Sequence, residues 1–104
     1  MDAQEVTQHA NLIFKRLTPW FKRIPNTRYR LIVVNDVYDH CYNFYIEISR
    51  KLTLTRLVPL HEIDDYDLMN LGLILKALNH NCQLPIDFRQ FSDNDKRFLN
   101  GSFH

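Results

Sequence analysis

Apolar residues recur every three to four positions at the start of the chain and every second position in its middle, so the sequence changes period along its length. At 100° per residue, Ala3, Val6, Ala10, Ile13, Phe14 and Leu17 share one arc, while Gln8, Asn11, Lys15 and Arg16 lie opposite and Leu12 falls out of pattern. Asp2 and Glu5 have the spacing of a capping box, so an amphipathic helix is predicted to start there. Thr18 and Pro19 read as a cap and a first helical position, with a short further turn over residues 20–24 that ends before Pro25.

Residues 29–35 are apolar and rich in β-branched side chains, and residues 42–49 alternate. Tyr42, Phe44, Ile46 and Ile48 take one face of that second strand, and Asn43, Tyr45, Glu47 and Ser49 take the other. A third strand is expected over residues 52–58, ended by Pro59, and the short links favour an antiparallel meander. A second helix is expected over residues 64–80, with Asp64, Asp65 and Asp67 in its first turn, where carboxylates complement the helix dipole. Its wheel carries two apolar stripes, Leu68, Leu71, Ile74, Leu75 and Leu78 on one and Tyr66, Met69, Leu73 and Ala77 on the other. A helix so apolar needs two neighbours. After Asn81, Leu84, Ile86 and Phe88 alternate as an edge strand would, and Ser92, Asp93 and Asp95 open a short helix through Leu99, stopped by Asn100 and Gly101.

The expected fold class is therefore α+β in a single domain over residues 1–104. It comprises an N-terminal helix, a three-stranded antiparallel meander, a long second helix on the same face, and a C-terminal edge strand and short helix. The order helix, three strands, helix is shared by double-stranded-RNA-binding domains, in which a lysine cluster opens the second helix and straddles phosphates. Here that position reads His61, Glu62, Ile63, Asp64, Asp65, which would repel phosphate, and membership of that family is not inferred.

Composition narrows the reading further. Two glycines and four prolines leave no room for a linker or a glycine-rich phosphate cradle. No export signal opens the chain, and the longest nearly apolar run, residues 71–78, is far short of the ~20 residues of a membrane span. A cytoplasmic protein with no membrane partner is the expectation, with Cys41 and Cys82 reduced. Net charge is +1, but residues 1–34 hold six cations against two acids, and residues 35–104 hold seven against ten.

Four constellations bear on chemistry. His40, Cys41, His80 and Cys82 have a zinc-like composition but the wrong spacing, because adjacent ligands diverge. His61, Glu62, Asp64, Asp65 and Asp67 could offer oxygen ligands to a divalent ion, yet helix N-termini gather acids in any case. Asp36, Asp39 and Glu47, with Arg50 and Lys51, resemble a nuclease core, but the position two after the glutamate is Ser49 where that pattern needs lysine. No catalytic residue, metal or cofactor is expected from these. The fourth is the run Lys15, Arg16, Trp20, Lys22, Arg23, Arg28 and Arg30, which mixes cations with aromatic rings and contains no acid; cations neutralise phosphates and rings stack on bases.

The outer face of the sheet is expected to carry Ile32, Val34 and Tyr45, with Thr53, Thr55 and Leu57. That surface is too apolar to stay bare, so the C-terminal segment or another chain should cover it. The leading expectation is a small non-enzymatic protein-binding domain whose partner is another protein or a second copy in a homodimer, working through Ile32, Val34 and Tyr45 or through Tyr66, Met69 and Leu73. The alternative is a nucleic-acid-binding domain that uses the basic run.

Overall fold

The computed structural model describes residues 1–22 and 24–102. In chain order they form helix α1 (Ala3–Leu17), a 3-10 turn (Thr18–Trp20), strands β1 (Thr27–Asp36), β2 (Cys41–Arg50) and β3 (Arg56–Ile63), helix α2 (Leu68–Asn81), strand β4 (Ile86–Arg89) and helix α3 (Asp93–Ser102). The expected α+β architecture is present, with the sheet ordered β3-β2-β1-β4. β1, β2 and β3 form the antiparallel meander, and β4 lies parallel to β1 at the far edge after the crossover through α2.

Asp2 caps α1 by accepting the Glu5 amide proton at 2.8 Å. The buried arc of α1 is Val6, Ala10, Ile13 and Leu17, as its period requires. Cross-strand register places Leu31 opposite Ile46 and Val33 opposite Phe44, on the face toward the helices. With Ile63, Leu71, Ile74, Leu75, Leu78, Phe88, Phe91 and Leu99 they make one continuous core. At Gly72 α2 passes close to α3: a Cβ there would meet Ser102 Oγ at 2.9 Å and Cβ at 3.1 Å, so a larger residue requires the Ser102 side chain to shift.

Five expectations need correction. The third strand spans Arg56–Ile63 rather than residues 52–58, and Pro59 lies inside it. An edge strand tolerates a proline, and the register shift opposite Phe44 and Tyr45 absorbs it. α2 starts at Leu68 because Asp67, whose carboxylate accepts from the amides of Met69 and Asn70, is its cap; Asp64 and Asp65 precede the helix. The turn after α1 ends at Trp20, and α3 runs through Gly101 to Ser102. Finally, the C-terminal segment packs with the helices, placing Phe88, Phe91 and Leu99 in the main core rather than over the outer sheet face.

That outer face is nonetheless not a bare apolar surface. Ile32, only 1% exposed, lies among Arg30, Glu47, Asp87 and Arg89, which form an alternating ion network with Arg30 Nη2 to Glu47 Oε1 at 2.7 Å and Arg89 Nη2 to Glu47 Oε2 at 3.3 Å. The long side-chain stems shield the isoleucine while the charged heads satisfy one another.

Candidate functional site

Strand register sorts the charges toward two ends of the sheet, which ten-residue strands at ~3.3 Å per residue set about 30 Å apart. At one end Asp36 pairs with Cys41 and Tyr42 with Ile63. The carboxylates of Asp36, Asp39 and Glu62 act on the Cys41 thiol, and those of Asp95, Asp67 and Asp65 on Tyr42. Burial first, and then these negative neighbours, push both groups up to about 12, so neither ionises near neutrality.

At the other end Thr27 pairs with Arg50, and the chain segments leaving α1, entering β1 and linking β2 to β3 meet. A shallow groove of about 470 Å³ is lined by Trp20, Lys22, Ile24, Tyr29, Arg50, Leu54 and Arg56 among others, and beside it a second, of about 660 Å³, by Arg28, Arg50 and Lys51 with Asn26, Thr27 and Ser49. Five cations thus converge from three segments, and no carboxylate lines either groove. Among the described residues none of the five is in an ion pair.

The β2–β3 loop, residues 51–55, gives this end its second property. Leu52 and Leu54 are 97% and 94% exposed. Leu52 sits at φ 67°, a left-handed conformation that costs a branched L-residue about 1–2 kcal/mol. The loop is nevertheless tied down: the Lys51 amide donates to Asn26 O, and the Thr53 amide and hydroxyl both donate to Arg50 O, each at 3.2 Å.

The structure divides the expected basic run. Lys22 and Arg28 line the grooves, and Lys15 is exposed in the last turn of α1. Arg30 is drawn into the outer-face ion network. Arg16 turns toward β3, donating to Leu60 O and to His61 Nδ1, both at 2.9 Å. Arg23 lies outside the described residues. Trp20 has the Arg56 guanidinium 4.8 Å from its ring centroid, and the Tyr29 ring packs against Phe21 at 4.8 Å. Sequence reasoning missed Arg50, Lys51 and Arg56, because the charge count placed them in the acidic part of the chain.

The proposed protein interface is divided as well. Ile32 is buried, and Val34 and Tyr45 are partly covered. Tyr66 stacks on Tyr42 at 5.0 Å and donates to Asn35 Oδ1 at 2.6 Å. Met69 and Leu73 stay open, 65% and 47% exposed.

Among the described residues no three His, Cys, Asp or Glu side chains converge to hold a metal ion. Both cysteines are free, and they lie at opposite ends: Cys41 in the hairpin and Cys82 after α2, beside Leu17 and Phe21. His61 faces α1 rather than the acids. Since Arg16 can only donate, His61 Nδ1 is unprotonated and its Nε2–H points to His9 Nδ1, 2.8 Å away. Burial first, then His9 and Arg16, push His61 down to about 4.

No family model, curated protein or solved structure matches the chain.

Proposed function

We propose that this chain is a non-enzymatic binding domain whose working end is the basic pole, where it holds an anionic partner surface. The observation that carries the reading is the convergence of Lys22, Arg28, Arg50, Lys51 and Arg56 around two open grooves without a carboxylate to neutralise them. Like charges brought together cost free energy unless a partner offsets it, and such a field raises the encounter rate with anions. The groups that could otherwise serve catalysis have structural work instead: Asp67 caps α2, Glu47 sits between two arginines, and His61 clasps α1.

Two partner classes follow from the sequence, and the geometry weighs on each. For nucleic acid the cations suit phosphates, but the rings of Trp20 and Tyr29 already have Arg56 and Phe21 against them, which leaves less aromatic surface for base stacking. A protein partner, a second copy included, is favoured at a different place by Met69 and Leu73, which form an open apolar ridge on α2.

Retention on immobilised heparin, a generic polyanion, tests the leading reading. The wild type is expected to bind at low salt and elute as salt rises, and Arg50→Ser/Lys51→Ser/Arg56→Ser to flow through. Equal retention of both would remove the basic pole from the function. Molar mass by light scattering tests the second: a dimer that Met69→Ser/Leu73→Ser converts to monomer supports the α2 ridge, and a wild-type monomer at all concentrations rejects self-association.

A further inference from the structure

Resting on that reading of the basic pole, we infer that its partner is the surface of an anionic lipid bilayer, with Leu52 and Leu54 entering the acyl boundary while Lys22, Arg50, Lys51 and Arg56 meet the headgroup phosphates.

Shape is the first reason. The two leucines project from a loop tip at 97% and 94% exposure, with Leu54 also bordering one groove. A protein partner would need a pocket built to receive them, and a nucleic acid offers aliphatic side chains no apolar matrix. The acyl boundary of a bilayer accepts apolar protrusions without prior fit. Ile24, exposed in the neighbouring loop, lines one groove together with Leu54 and widens the apolar tip.

Backbone conformation is the second. Asn or Gly would occupy φ 67° with little strain, whereas a leucine there pays for a position at which its side chain touches almost nothing. The three hydrogen bonds to Asn26 O and Arg50 O hold the loop, so the leucine has no slack in which to fold back. Strain kept at an exposed apolar residue fits a contact made outside the chain.

Charge is the third. Arg50 and Lys51 precede the tip and Arg56 follows it, and their flexible stems let the charged heads stay at headgroup level while the leucines go deeper. The expectation of no membrane partner rested on the lack of a spanning segment, and no helix among the described residues is long and apolar enough to cross a bilayer. Peripheral contact requires no span. The acidic pole, about 30 Å away, is repelled by the same surface, so the strands would stand toward the bilayer with their Thr27 and Arg50 ends down.

Flotation with phosphatidylserine-containing phosphatidylcholine vesicles, against pure phosphatidylcholine vesicles, tests this. The wild type is expected to float with the first, much less with the second, and to be released as salt rises. Leu52→Ser/Leu54→Ser should lower the partition constant at least about tenfold while keeping heparin retention, since each leucine withdrawn from the acyl boundary removes apolar burial but no charge. Tyr38→Ser, at the equally exposed tip of the acidic hairpin, should float like the wild type. Equal flotation of the wild type and the double leucine variant overturns the inference. So does a wild type that binds heparin, or a single-stranded or duplex oligonucleotide, but no vesicle, an outcome that leaves the basic pole standing. Loss of heparin binding as well overturns both.

Discussion

The two ends of the sheet use their charges in opposite ways. At the acidic end carboxylates are part of the fold: Asp67 caps α2, Asp65 accepts from Asn70, Asp36 accepts the Asp39 amide, and Tyr66 is held between Tyr42 and Asn35. At the basic end Arg28, Arg50 and Lys51 line open grooves, and two leucines stand in water. Charge that stabilises the chain is consumed locally, whereas charge left unpaired remains available to a partner. Substitutions at the acidic end should therefore cost stability, and substitutions at the basic end should cost binding.

The largest expected effect is a control that ignores this division. Phe44 is fully buried beneath the helices and belongs to the core shared by both ends. Phe44→Ala should cost about 3–5 kcal/mol in chemical denaturation and remove binding with it. A smaller loss, about 1 kcal/mol, is expected from Asp67→Ala, which strips the cap from α2, with heparin retention unchanged. The opposite sign is expected at the basic tip: Leu52→Asn relieves the left-handed strain and should raise stability by about 1 kcal/mol while weakening vesicle binding. A stability gain with undiminished binding would separate the strain from the function.

A subtler effect lies between the ends, where His61 clasps α1. Its folded value of about 4 lies below the ordinary 6.5, so the unfolded chain takes up a proton first as pH falls. The contribution of neutral His61 is fully present above pH 6.5 and is lost progressively down to about pH 4. Thermal unfolding of the wild type should therefore shift to lower temperature across that window, and His61→Gln should flatten the shift. An unchanged slope in the variant would remove His61 as the cause of the loss.

Much of this fold was legible in the sequence, and the misreadings have specific causes. α1, its Asp2 cap and the faces of β1 and β2 follow from period and spacing alone. The third strand was misplaced because Leu52, Thr53, Leu54 and Thr55 alternate as a strand does, while Pro59 looks like a stop. In the fold the alternating segment is a loop, and the proline sits at an irregularity of an edge strand. That error hid the two projecting leucines. The basic pole was half visible: Lys22 and Arg28 lie in the basic run, but Arg50, Lys51 and Arg56 join them only through the hairpin register. Counting charge along the chain assigned those three to the acidic part, although the register sets them at the end far from most of the acids.

The most direct test of the account exchanges charge at one end and then the other. Arg50→Glu/Lys51→Glu and, separately, Asp64→Lys/Glu62→Lys would be compared with the wild type for heparin retention as a function of salt, with Trp20 fluorescence reporting that each variant is folded. The account predicts that the first pair abolishes retention and that the second leaves it equal or stronger. Comparable loss from both pairs, or retention that survives the first, would contradict the assignment of the basic pole as the working end.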